Sequence, residues 1–544
     1  MKNLKAKIPF FILIIFLCVT SGLYAQKAPD IQWQKCLGGT GNDNATSVIQ
    51  TLDGGYAVAG STSSSDGEVS GFHGVMDGWI VKLNSIGAIQ WQKCLGGSKD
   101  DRLNQIIQTL DKGYAVVGTT SSNDGDVLGN HGYGDGWVVK LDSSGNIEWQ
   151  TCVGGKGDEG LNSILQTSDS EFVVAGQESS SEEGLLNHGR SDAYVVKLSS
   201  SGKMLWQKCM GGSSIDAASF ITQTSEGGYA FTGSTSSNND GDVSGYHFDS
   251  TLANFPIRDI WVVKIDPFGN LEWQKCLGGK GDDAGYSITA DSHGGVTIAG
   301  MTFSNDGDVS GNHNTDGNND AWIVNLDSSG KMLWQECLGG SRTDVANFIT
   351  KTIEGGYAIA GTTSSNDGDV SGKHGGKDTS DIWIAELTSS GNIQWQKCLG
   401  GSSFERGGVI IQTSDKGYMV AGTTSSNDGD VSGYIGGNDI WVVKLKPVSS
   451  GVENTSPVQD NVARIYPNPS TDEIHLALSR SSSVKQILFY DLLGMQFFPE
   501  YRIEDRAATV DVHNLPAGSY IVRLNYVGEG QPNFEEVQKF VHYH

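Results

Sequence analysis

The sequence predicts an all-β fold, a seven-bladed β-propeller followed by a small β-sandwich, on three observations. The stretch Trp91-Gln92-Lys93-Cys94-Leu95-Gly96-Gly97 returns almost verbatim, with copies starting at Trp33, Trp91, Trp149, Trp206, Trp273, Trp334 and Trp395. Such self-similarity marks units that bury their apolar faces only by stacking on neighbours. Each unit carries four strand-like segments joined by turns rich in Asp, Ser and Gly, as a meander sheet requires. Finally, the chain enters at Ile31-Gln32-Trp33-Gln34-Lys35-Cys36, a fourth strand with no preceding three, and leaves the array at Asp439-Ile440-Trp441-Val442-Val443-Lys444-Leu445, a third strand with no fourth. The first segment can therefore complete the last unit and close a ring, which removes both open edges.

In the second unit the expected strands are Asn104 to Thr109, Tyr114 to Thr120, Trp137 to Leu141 and Ile147 to Val153. The turns Leu110-Asp111-Lys112-Gly113 and Asp142-Ser143-Ser144-Gly145-Asn146 suit tight hairpins. Third strands begin with an aromatic residue in each unit (Trp79, Trp137, Tyr194, Trp261, Trp322, Trp383, Trp441), and second strands begin with Tyr56, Tyr114, Phe172, Tyr229, Val296, Tyr357 and Tyr418. Recurrence in every unit fits wedging between blades; a sugar-stacking platform is the other reading of such a stripe. Seven cysteines (Cys36, Cys94, Cys152, Cys209, Cys276, Cys337, Cys398) hold one equivalent place per repeat. Equivalent places in an array lie a whole repeat apart, so free, apolar-packed thiols are expected rather than disulfides.

Composition agrees with β structure: 74 Gly, only 11 Pro, and 13 Trp confined between residues 33 and 441. A length of 544 residues exceeds what one core needs. The formal charge of −26 works against nucleic acid and anionic lipid, and no run of Lys and Arg offers a phosphate patch. Lys2, Lys5 and Lys7 precede an apolar run from Ile8 to Val19, with Leu23-Tyr24-Ala25 as a cleavage site. Residues 1–25 therefore read as a signal peptide, too short and too terminal for a spanning helix, and no other segment is apolar enough to cross a membrane as a helix. The organisation expected is a signal peptide over 1–25, a propeller over 26–446, a polar linker over 447–461 and a second domain over 462–544.

Two resemblances follow from these residues. Gly-Gly with an acid four positions on, then Gly-Gly-Tyr-x-Val-x-Gly-x-Thr-x-Ser, then Asp-x-Trp-Val-Val-Lys-Leu and Gly-Asn-Ile-x-Trp, resembles the bacterial secreted β-propeller repeat over about residues 31 to 446. That family implies export and fixes no single activity. Past the linker, Trp and Cys vanish. There Ile465-Tyr466-Pro467-Asn468-Pro469, Ile487 to Gly494, Leu515-Pro516-Ala517-Gly518-Ser519-Tyr520-Ile521-Val522-Arg523 and Lys539-Phe540-Val541 resemble the carboxy-terminal sorting domain of the type IX secretion system. The resemblance implies a small β-sandwich on a Bacteroidota cargo protein. Pro467, Asn468, Pro469, Gly494, Gly518, Tyr520 and Lys539 would be its motif residues. It also implies the type IX machinery as partner, passage across the outer membrane, and removal of the domain or its exchange for a surface anchor.

The loops from fourth to first strands and from second to third strands are the long ones, and a meander places both on one face. That face gathers acids. One lies in each fourth-to-first loop (Asp43, Asp101, Glu159, Asp216, Asp283, Asp344, Glu405), and another stands two before each third-strand aromatic (Asp77, Asp135, Asp192, Asp259, Asp320, Asp381, Asp439). The Asn-Asp-Gly-Asp loops add Asp124, Asp126, Asp306, Asp308, Asp367, Asp369, Asp428 and Asp430. Oxygen clusters of this kind suit calcium, though the spacing is not that of an EF-hand; acids in Gly-rich loops also cap their own backbone. His73, His131, His188, His247, His313 and His374 recur, with Ile435 breaking the series; a surface-loop role is expected, since one ion cannot bridge blades.

Near-identical blades spread identical groups around a ring, whereas catalysis asks for unlike groups converging. Symmetry breaks at Phe248 to Arg258, where Phe248, Phe255 and Arg258 are candidate ligand contacts, and at Ser181-Glu182-Glu183-Gly184. The function expected is a non-catalytic binding or adhesion scaffold for an extracellular protein or polysaccharide. Alternatives are a glycan-active hydrolase or lyase using acids near the channel, and a structural surface component.

Overall fold

The computed structural model describes residues 26–180, 187–247, 257–313 and 317–448, and within 464–542 the strands named below with adjoining turns. The signal peptide, residues 449–461 of the linker, Phe248, Phe255, Ser181 to Gly184, Pro467 to Pro469 and Gly494 lie outside the described residues. The chain divides into two compact units, residues 1–451 and 452–544.

Among the described residues the first unit holds seven four-stranded antiparallel sheets. Blade 1 runs Asp43–Gln50, Tyr56–Thr62, Asp77–Leu83 and Ile89–Leu95; blade 2 runs Asp101–Gln108, Tyr114–Thr120, Asp135–Leu141 and Ile147–Val153. Blades 3 to 6 repeat that order from Gly160, Asp216, Asp283 and Asp344. Blade 7 takes Glu405–Gln412, Tyr418–Thr424 and Asp439–Leu445, then Ile31–Leu37 as its outermost strand. Gln34 lies opposite Val443 and Leu37 opposite Ile440, so the entering strand closes the last sheet as the split ends required.

Two strands of blade 2 begin earlier than the sequence indicated. The first starts at Asp101, because a register shift between Leu103 and Gln105 interrupts its alternation; the same irregularity recurs in every first strand. A bulge adds one residue and reverses the inward parity, so a period of two is readable only beyond it. The third strand starts at Asp135, where Asp and Gly carry little strand propensity yet pair with Thr120 and Thr119.

The core of the ring is a set of layers between blades, one for each neighbouring pair. Tyr114, Val116 and Trp137 of blade 2 bury against Ala57, Ala59 and Ile80 of blade 1. The closing layer sets Tyr56, Val58 and Trp79 of blade 1 against Leu37, Met419, Ile440 and Val442 of blade 7. The third-strand aromatics are fully buried, which favours the wedge over the sugar platform. The heptapeptide now has a physical reading. Trp33 meets the ring of Tyr56 on the next blade edge-on, with centroids 5.9 Å apart, and Trp91 meets Tyr114 at 5.6 Å. The following glutamine satisfies the buried indole of its own blade: Trp79 Nε1 donates to Gln92 Oε1 at 2.7 Å, and Trp441 Nε1 to Gln34 Oε1 at 2.7 Å. The cysteines are unpaired; burial pushes the Cys36 and Cys94 thiols up to about 12, which keeps them protonated and inert.

In the second unit, Arg464–Tyr466, Glu473–Ala477, Ala507–Asp511 and Tyr501–Glu504 form one sheet, and Gln496–Phe497, Val484–Asp491, Gly518–Tyr526 and Phe534–His542 form the other. Ile474, Leu476 and Val510 from one sheet share a core with Ile487, Phe489 and Val522 from the other, the arrangement of a sandwich.

Candidate functional site

The two sets of long loops meet on one face of the ring, and a carboxylate ties them together in each blade. In blade 2, Asp101 is fully buried and accepts from Gly97 N at 2.7 Å, from Ser122 Oγ at 2.7 Å and from the Thr120 hydroxyl. Asp43 in blade 1 accepts from Gly39 N at 2.9 Å, Ser64 Oγ at 2.8 Å and the Thr62 hydroxyl. Blades 4, 5 and 6 repeat this lock at Asp216, Asp283 and Asp344. The double glycine follows from it: a Cβ on Gly96 would come 2.6 Å from the Asp101 carboxylate, and one on Gly97 would come 2.3 Å from Asp124 Oδ1.

The second acid series is buried too. Asp192 lies across the blade interface from Asp216, with Gly211 between them: a Cβ there would stand 2.6 Å from one carboxylate and 2.9 Å from the other. Each acid of this series also receives the preceding loop. His73 Nδ1 is 2.8 Å from Asp77 Oδ2, and the His73 backbone N–H donates to that oxygen at 2.9 Å. His131, His188, His247, His313 and His374 make the same contact with Asp135, Asp192, Asp259, Asp320 and Asp381; in blade 7 the ring is missing and backbone N–H groups serve Asp439, that of Ile435 at 2.7 Å. These histidines are therefore half-exposed struts on buried acids rather than free loop residues. The offset from His to Asp is four residues in blades 1 to 3 and twelve or seven later, which hides the pairing from a spacing argument.

Burial, and after it a neighbouring carboxylate, hold several of these acids above the usual carboxylate range. Asp283, Asp344 and Asp439 are raised to about 6, and Asp77, Asp135, Asp192 and Asp259 move the same way. Blade 3 departs: Glu159 replaces aspartate and Glu178 replaces the threonine, both buried. Ser180 bridges them, its Oγ donating to Glu159 at 2.6 Å and its N–H to Glu178 at 2.6 Å.

Four of the aspartates considered for calcium cap backbone. Asp124, Asp306, Asp367 and Asp428 accept from Ser98, Lys280, Ser341 and Ser402 N at 2.8, 2.9, 2.8 and 2.7 Å. Those bonds hold Asp124, Asp367 and Asp428 below the usual carboxylate range. Asp126 and Asp369 face Gly96 and Gly339 N, while Asp308 and Asp430 face histidine Nε2 of the preceding blade at 3.7 and 3.9 Å. Among the described residues no three His, Cys, Asp or Glu side chains converge to hold a metal ion. Melting the exported chain in calcium and in chelator tests the ion directly: a site held at a hundred times its Kd would add about 2.7 kcal/mol and raise the melting temperature by several degrees, whereas agreement within about 1 °C would leave these loops to backbone capping.

Of the symmetry-breaking trio only Arg258 is described. It forks onto Asp282, Nε to Oδ1 at 3.0 Å and Nη2 to Oδ2 at 2.6 Å, which anchors the base of the insertion. The axis is lined by the first strands, each in contact with the next. After the leading acid these strands contain no Asp or Glu, and Phe220 of blade 4 meets Phe348 of blade 6 with centroids 5.5 Å apart.

In the second unit, Tyr520 is buried edge-on to Phe497 at 5.4 Å, Gly518 opens its strand, and Lys539 pairs through its backbone with Ile521. Residues 464–532 match the secretion system C-terminal sorting domain. The tail marks the chain as a type IX cargo, secreted or held at the outer-membrane surface. No helix among the described residues is long and apolar enough to cross a membrane. No curated protein matches the chain. Among solved structures, it is similar to the Pan2 WD40 domain of Neurospora crassa, at 12% identity and TM-score 0.42, covering 76% of this chain and 96% of that one. It is likewise similar to Sqt1 from Chaetomium thermophilum, at 10% identity and TM-score 0.38, covering 77% and 99%. Both likenesses concern the fold alone.

Proposed function

We propose that the exported propeller is a non-catalytic binding module that engages a polysaccharide or protein outside the cell through its long-loop face. The observation that carries this reading is the fate of the recurring acids. The two series at the blade interfaces are buried, each acid held through at least one oxygen by backbone N–H, Ser, Thr or His partners, and acids are absent from the axial walls past the first position of each strand. A hydrolase would need two carboxyls open to substrate in unlike environments. A rigid face whose loops differ from blade to blade supplies what recognition needs, a stable frame with variable contacts.

The test is a panel of extracellular polysaccharides and glycans, scored both for binding and for product release. Saturable binding without turnover is expected. Turnover that disappears when one exposed acid of the long-loop face, such as Asp124, is replaced by its amide in a variant that still folds would refute it in favour of the hydrolase; no saturable ligand at all would point to a structural surface component.

A further inference from the structure

In a chain of net charge −26, one cavity is lined by cations. It lies on the long-loop face of blade 6, has a volume of about 300 Å³, and is walled by Arg342, Lys373 and Lys377 with Ser341, Asn366 and Asp367. The cavity exists because blade 6 lengthens the link between its histidine and its third strand: His374 and Asp381 stand seven apart, against four for His73 and Asp77. The added residues form a strap folded around the Lys373 ammonium, which donates to His374 O at 2.9 Å, Gly376 O at 2.7 Å and Thr379 Oγ1 at 3.1 Å. All three partners are neutral, so the positive charge is held in place beside the cavity without a carboxylate among them. Arg342 Nη1 donates to Lys377 O at 2.7 Å and braces the strap from the other side. Gly375 takes φ +66, and a Cβ there would come within 2.5 Å of Thr379 Oγ1, so the turn is built for glycine. Asp367 is the one acid in the lining, and its Oδ1 is already bound to Ser341 N at 2.8 Å.

We propose that this cavity binds a singly anionic sugar residue of an extracellular glycan, its carboxylate or sulfate against Arg342 and Lys377 and its hydroxyls against Ser341 and Asn366. The inference rests on the binding role of the long-loop face and names its ligand class. The volume falls at the low end of small-ligand pockets. Asp367 lies in the field of Arg342 and the buried Asp381 in that of Lys373, so the three cations leave a small positive excess that suits one negative charge, while the acidic remainder of the chain repels a polyanion. Neutral hydroxyl and amide groups around those cations suit a sugar better than a bare inorganic anion.

Calorimetric titration of the full exported chain tests this, using a disaccharide ending in glucuronate, its methyl ester and a sulfated counterpart. Saturable binding of the free acid or of the sulfate is expected, and which of the two binds identifies the anion. Esterification, Arg342→Gln and Lys377→Gln should each weaken binding about tenfold or more, the scale of one charge-assisted hydrogen bond. Lys99→Gln, at the equivalent of Arg342 in blade 2, should leave it unchanged. Binding that ignores esterification or both pocket substitutions overturns the cavity as the site while leaving the face reading intact. No saturable binding by these probes or by any glycan of the wider panel overturns both.

Discussion

A chain lacking residues 26–37 is expected to lose the cooperative fold of the propeller, melting roughly 10 °C lower or failing to remain soluble. The reason is the closure of the ring. The strand Ile31–Leu37 is the outer strand of blade 7, and its removal leaves Asp439–Leu445 as an open edge. It also empties part of the layer between blades 7 and 1, where Leu37 is fully buried against Tyr56, Val58 and Ile440, and where Trp33 lies edge-on to Tyr56. A buried leucine contributes about 1.5–3 kcal/mol, and the Trp441 indole deprived of Gln34 costs about 1–3 kcal/mol more. With Trp33 included, the loss approaches the whole stability of many domains, about 5–15 kcal/mol. Circular-dichroism melts and size-exclusion profiles read the outcome. A subtler pair isolates closure from truncation. Leu37→Ala and Leu95→Ala remove equivalent, fully buried side chains and should each cost about 2–5 kcal/mol, because the closing layer is packed like the others. A truncated chain that melts within about 2 °C of the intact one would mean that the ring stands without its latch.

That latch was legible because it depends only on order: a fourth strand without predecessors and a third strand without a successor can be counted along the sequence. Strand positions were legible wherever alternation ran unbroken, as in Tyr114–Thr120 and Ile147–Val153, and were lost where the bulge after Leu103 reversed parity. The site was less legible, because its bonds join residues 13 to 21 apart whose partners are fixed only once the sheet forms. Asp101 reaches Ser122, and Trp79 reaches Gln92, through register rather than local spacing. The acids could be gathered from the sequence as recurring loop and strand-start positions. What their residue type could not tell is that the lock acids point between blades, where Gly97, Thr120 and Ser122 already use their lone pairs. The cationic cavity was invisible for the same reason. Arg342 and Lys377 stand far apart in a sequence without any basic run, and they meet through the strap of blade 6.

Glu178→Thr is expected to make the propeller more stable above neutral pH, and to flatten its loss of stability as pH rises. In the other blades a threonine hydroxyl donates to the lock acid; Thr424 does so to Glu405 at 2.7 Å, so a glutamate in the acid position is compatible with a threonine partner. In blade 3 the donor position holds Glu178, fully buried beside Glu159, and a carboxyl can donate only while it keeps its proton. Burial first, then the hydrogen bond and charge of Glu159, raise Glu178 from 4.5 to about 8. Asp135, Tyr194 and Cys209 pack close by and bring no cation to relieve the pair. A carboxyl raised on folding binds its proton more tightly in the native state. Its contribution to stability is therefore complete below pH 4.5 and is lost as pH rises through about 8. Aspartates such as Asp283 and Asp344, raised to about 6, give the whole ring a decline of the same sign that ends earlier. The distinguishing window is thus pH 6 to 8, where those groups have titrated and Glu178 has not. Denaturant melts across that window should diverge by about 2 kcal/mol or more at pH 8, wild type below variant, because each tenfold difference in proton affinity between the folded and unfolded chain is worth about 1.4 kcal/mol. Glu178→Gln, whose amide donates at every pH, should follow the threonine variant. If wild type and both variants decline in parallel, Glu159 and Glu178 share no proton, and the lock of blade 3 must be held by Ser180 and the Gly155 N–H.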